Sequence, residues 1–268
     1  MAKKQEFTEQ EGELLIQSLN GFTKWLNEIG VLKALEGNKR LVDFPFSTQD
    51  WLMQVEGDTV SFNTEVRKKC SFDYYKMVVL HESFHLMVQK IPNKGDATRI
   101  KDNFGDQLMK LIDIEADFYT ALYYKEKLNY TLVKFLGLYF DGRTVFNDER
   151  IRPGKFERYI GSLLSVAKLF IEYPKVDSKD IEYDLYLPTI APVYTESKLH
   201  VLVIRKKHIY LDEISATHDD FVKLMSCYKD VNDFTKQAYI TKLINFIFKA
   251  FNKEIPKSIK DEIGKIKK

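Results

Sequence analysis

At 268 residues, 44% hydrophobic and 30% charged, the chain is long and apolar enough to bury a sizeable core, as one large domain or two small ones. A net charge of only +2 gives no electrostatic case for nucleic acid, which calls for a clustered basic face. No run approaches ~18 apolar residues, the N-terminal MAKKQEFTEQEGELL holds no apolar signal stretch, and Cys70 and Cys227 are too few and too far apart for a disulfide scaffold. The expectation is a cytoplasmic protein with neither a membrane nor a nucleic-acid partner.

Residues 9 to 37 read as a helix, because Leu14, Leu15, Leu19, Phe22, Trp25, Leu26, Ile29, Leu32 and Leu35 recur at helical spacing. Residues 40 to 64 look extended, and the alternation Thr59-Val60-Ser61-Phe62-Asn63 suggests an edge strand. Residues 72 to 90 read as a helix closed by the turn chemistry of Pro92-Asn93-Lys94-Gly95-Asp96. Further helices are expected from Phe104 to Asn129, over 131 to 139 and over 155 to 173. Ile181 to Ile214 is rich in Tyr, Val, Ile and Leu, and Leu199 to Leu211 resembles a hairpin. Residues 218 to 251 return to helix, and the basic run Lys257 to Lys268 reads as a solvated end.

These elements predict an α+β fold. A mainly helical domain with a small sheet would span 1–174, and a C-terminal hairpin-and-helix lobe 175–268. The boundary near Pro174 is soft enough that both could form one domain.

Chemistry concentrates in Val78–Met87, VVLHESFHLM. Five histidines and 19 glutamates predict ~0.007 accidental His-Glu-x-x-His matches in a chain of this length. The flanks Val78, Val79, Leu80, Leu86 and Met87 are uncharged, so the helix is buried around its histidines. Positions i and i+4 share one helix face. His81 and His85 can therefore converge on one Zn²⁺ at ~2.0–2.1 Å. Glu82 lies ~100° around the helix, off the metal but close to a water on it. Zinc lowers the pKa of such a water to about 7, and a carboxylate can take its proton. The bland alternative is a pair of core histidines.

A catalytic zinc needs a third protein ligand, and Leu111–Glu126 (LIDIEADFYTALYYKE) offers carboxylates. Val78–Met87 resembles the extended motif of zincin metallopeptidases. Asp113-Ile114-Glu115-Ala116-Asp117 resembles the ExxAD or ExxAN segment on the following helix of gluzincin-type enzymes, of the ImmA/IrrE-like or M48-like kind. The resemblance covers about residues 60 to 128. It implies Asp113 as third ligand and Asp117 as the brace of a zinc-bound histidine. Here Asp stands where those families carry Glu, one methylene longer, so the helix must approach the metal more closely.

The helical wheel points elsewhere. Glu115 falls among Phe104, Leu108, Leu111 and Leu122, where a carboxylate is costly unless paired or metal-bound. Asp113 and Asp117 fall near Lys110 and Thr120 on a polar stripe. Register favours Asp113 and burial favours Glu115; Asp113 is the expectation, with a merely superficial acidic pair as its bland alternative.

His200, His208, Tyr194, Tyr210 and Arg205 are candidate donors to an oxyanion, although each reads more simply as structural. Tyr119, Tyr123 and Tyr124 read as core and rim. The expected function is zinc-dependent hydrolysis of a protein or peptide, with Glu82 as general base. The alternative is a regulatory or partner-binding protein on a zincin scaffold, its metal structural or vestigial. Glu82 weighs against this, since a structural metal needs no such base.

Overall fold

The computed structural model describes residues 8–29, 53–56, 59–62, 67, 70–85, 106–142, 153–172, 189–195, 198–205, 208–213, 223–224 and 235–266. Side chains are described over 8–29, 67, 70–85, 113–142, 160–171, 223–224 and 235–266.

Helix α1 (Glu9–Glu28) begins where the Thr8 hydroxyl accepts from the Glu11 amide at 3.2 Å, with Glu9 and Glu11 placing negative charge in the first turn. Leu15, Leu19, Phe22, Trp25 and Leu26 form its buried stripe. The indole of Trp25 donates to Glu126 at 3.1 Å. Helix α2 (Phe72–Phe84) is capped by Ser71, which accepts from the Tyr74 amide at 3.3 Å. It has no apolar side and polar side, and it is covered nearly all round.

Helix α3 (Asp106–Lys127) packs against α2. It turns into α4 (Leu132–Gly142) through Asn129, whose φ of 53° is in the left-handed region that Asn tolerates. The Tyr130 amide closes that corner on the Tyr124 carbonyl at 3.0 Å, and Thr131 caps α4 through the Lys134 amide. Helix α5 (Pro153–Glu172) lies alongside α3. The Ser162 hydroxyl donates to Asp117, and the Lys125 ammonium donates to the Leu169 carbonyl at 2.9 Å. The sequence separations of these two ties, 45 and 44, are nearly equal, so the helices run parallel.

Helix α6 (Lys236–Ala250), capped by Thr235, packs on α4, and α7 (Lys257–Gly264) packs on both. One core joins all of them, from Leu15 and Leu80 through Leu136 and Leu164 to Ile244 and Ile263. Helices from either side of position 174 share that core; Pro174 itself lies outside the described residues.

The α+β fold is corrected. Over the residues whose side chains are described, 85% are helical and none belongs to a sheet, and every buried apolar residue among them outside turns belongs to a helix. The backbone also traces an antiparallel pair, β1 (Met53–Glu56) with β2 (Thr59–Phe62). It traces three further strands, β3 (Thr189–Thr195), β4 (Lys198–Arg205) and β5 (His208–Glu213). Their side chains are outside the description. The physical reason for the correction is that, among the described residues, the helices bury one another's apolar faces directly.

The first helix stops at Glu28, and positions 30–37 lie outside the described residues. The basic C-terminal run is a helix whose Lys257, Lys260 and Lys265 are exposed, as expected of a solvated end, while Ile263 is buried and Thr131 donates to Glu262. No helix among the described residues is long and apolar enough to cross a membrane.

Candidate metal centre

The last turn of α2 and the middle of α3 meet at two histidines. His81 and His85, one turn apart, are each only 6% exposed, with rings 4.8 Å apart and nearly perpendicular. Their Nε2 atoms approach to 3.1 Å. Asp113 Oδ1 lies 3.1 Å from His85 Nε2 and 4.0 Å from His81 Nε2. Four ligands tetrahedrally placed ~2.0–2.1 Å from Zn²⁺ stand about 3.3–3.4 Å from one another. The three distances bracket that value, so the donor triangle fits one ion with a position left open.

Two imidazole lone pairs and a carboxylate oxygen at this separation repel unless something positive lies among them. Two imidazoles and a carboxylate suit Zn²⁺, and the same set also suits Fe²⁺. Among the described residues, His81, His85 and Asp113 are the group able to hold a metal.

On the far side of the His81 ring, Nδ1 is 2.7 Å from Asp117 Oδ1. A proton shared there turns the Nε2 lone pair toward His85 and Asp113. Burial pulls the His81 pKa down. The charge of Asp117, its hydrogen bond, and the charges of Glu82 and Asp113 outweigh that and raise it from 6.5 to about 8. Without a metal, this corner therefore takes up a proton readily. Glu82 is half-buried on the next face of α2, near enough for its charge to act on His81.

No protein-family model matches this chain, and neither a curated protein nor a solved structure matches it. The site must be judged on its own geometry.

The structure groups His81, His85 and Asp113, with Asp117 behind His81. Glu115 is half-buried and outside that group. Burial does not discriminate between Asp113 and Glu115, both half-buried, because α3 is covered on almost every side: Ile114, Ala116, Thr120 and Leu122 are all at most 1% exposed. Its polar stripe is therefore interior too. Tyr119, Tyr123 and Tyr124 are buried; Tyr119 stacks on Phe84 with centroids 4.8 Å apart. His200, His208, Tyr194, Tyr210 and Arg205 sit on strands whose side chains are outside the description.

Sequence reasoning missed Ser162. Its one available signal was a small hydroxyl inside an apolar run, Ile160-Gly161-Ser162-Leu163-Leu164, where burial forces it to find a partner.

Proposed function

We propose that this chain is a zinc-dependent peptidase of zincin type, acting in the cytoplasm on a protein or peptide. The observation that carries the reading is the convergence of two Nε2 atoms and Asp113 Oδ1, with Asp117 orienting one imidazole from behind. His81, His85 and Asp113 would hold the ion. When bound, zinc supplies a Lewis acid that brings the pKa of a water to about 7.

The rest of the chemistry falls to the chain. Glu82 accepts the proton as water oxygen bonds to the scissile carbonyl carbon. It returns that proton to the amine nitrogen as the C–N bond breaks. Asp117 keeps His81 in the tautomer that faces the ion. Burial of both imidazoles strengthens each of these electrostatic contacts.

Glu82→Gln tests the reading. It keeps size and hydrogen bonding but cannot accept the proton, so zinc should stay bound while turnover falls ~10²–10⁴-fold. Wild type and variant are expressed in the same cells and new protein N-termini are compared by mass spectrometry. Fragments unique to wild type support the proposal and identify the scissile bond. Identical N-termini from two zinc-loaded proteins favour the binding scaffold, and iron in place of zinc on elemental analysis overturns the hydrolytic metal.

A further inference from the structure

Four hydroxyls inside the described helices share a habit. Ser18, Thr23, Ser83 and Thr241 each donate to the carbonyl four residues back, at 2.7–2.8 Å. That is the local bond a helical Ser or Thr usually makes. Ser162, only 2% exposed, departs from it. Its hydroxyl donates instead to Asp117 Oδ2 on the neighbouring helix. A serine hydroxyl has one proton to give, so the inter-helix bond replaces the local one.

The acceptor matters. The terminal torsion of an aspartate is broad, so a carboxylate held at one oxygen can swivel. Asp117 is held at both: Oδ1 faces His81 Nδ1 at 2.7 Å and Oδ2 receives Ser162. Two bonds fix the carboxylate plane. The plane fixes the His81 ring, whose Nε2 is directed at His85 and Asp113. We propose that Ser162 is a positioning residue of the metal centre, acting from α5 through Asp117 to aim the His81 lone pair. This rests on the metal-site reading above.

A built-in control sits one turn further on. Ser165 is equally buried on the same helix, and its Oγ has no hydrogen-bond partner among the described residues. Affinity for Zn²⁺ is measured by competition with a chromogenic chelator, and ligand geometry by the visible spectrum of the Co²⁺-loaded protein. Wild type is measured first: failure to bind either ion overturns the centre itself before any variant is compared.

Given a loaded wild type, Ser162→Ala should weaken binding about 10-fold, the low end for groups that orient a ligand, and shift the Co²⁺ spectrum. Ser165→Ala should do neither. Ser162→Thr, which keeps the hydroxyl, should restore both properties. Combined with Asp117→Asn, Ser162→Ala should add no further loss, because its effect runs through that carboxylate. Should Ser162→Ala not fold, Ser162→Cys gives the same readouts, since its near-isosteric thiol is a weak donor. A Ser162 variant that matches Ser165→Ala, or a loss that multiplies with that of Asp117→Asn, overturns the proposal.

Discussion

The two ends of α2 hold their carboxylates in different ways. At the start, Asp141 receives the Lys236 ammonium at 3.0 and 3.1 Å and the hydroxyl of Ser71, the cap of the helix, at 3.3 Å. At the finish, Asp113 and Asp117 meet the imidazoles of His81 and His85. A lysine keeps its charge throughout the neutral range, whereas an imidazole balances a carboxylate only when protonated or bound to a metal. One end of the helix is therefore set once the chain folds. The other responds to pH and to metal.

Removing a ligand should break this contrast most sharply. His85→Ala or Asp113→Ala should abolish stoichiometric Zn²⁺ binding, a larger loss than the 10–100-fold expected for Asp117→Asn. Elemental analysis of protein purified without chelator reads the result. A site emptied by Glu115→Ala but still loaded in Asp113→Ala would reassign the third ligand.

The opposite end should answer in stability alone. A Cβ on Gly142 would lie 2.1 Å from the Tyr74 ring. Gly142→Ala should therefore destabilise by about 1–3 kcal/mol in urea titration, as over-packing does, with metal content unchanged. Unchanged stability would mean that the α2–α4 contact yields easily.

Titration separates the ends next. In the metal-free fold His81 has a pKa of about 8, above its ordinary 6.5. The protonated form thus favours folding. About 2 kcal/mol of stability is fully present below pH 6.5 and is lost as pH rises through 8. Metal has the opposite sign, because it needs the bare nitrogen. Zinc affinity should fall about tenfold per pH unit below 8. A flat affinity between pH 6 and 8 would contradict this linkage.

The smallest effect is expected from Lys236→Met. The Lys236–Asp141 pair is partly exposed, 38% and 24%, so its loss should cost less than about 1 kcal/mol and leave zinc binding alone. A larger cost in thermal unfolding would show that the cap region depends on that ammonium.

The helices and the histidine pair were legible because both depend on local spacing. The uncharged flanks of His81 and His85 announced burial, and the two imidazoles are buried. The choice between Asp113 and Glu115 was harder, since a wheel assigns faces but not neighbours, and α3 has neighbours almost everywhere. The fold class was over-read, although the expected hairpin is traced as β4 and β5. Residues 181 to 214 carry strand-like alternation, which describes a local backbone and not whether that backbone forms a layer of the core. Ser162 signalled burial by its apolar neighbours but not its partner, which lies 45 positions away on Asp117.

The two ties between α3 and α5 also bear on which changes this chain could accept over evolutionary time. Asp117 is fastened to Ser162, and eight positions later Lys125 is fastened to Leu169. Deleting one residue between 117 and 125 would turn one tie by about 100° relative to the other, so both could not persist. Substitutions in that interval need only fit locally, whereas any change in its length would throw Asp117 out of phase with Ser162 on α5. The segment is a ruler, and its length should be more constrained than its composition.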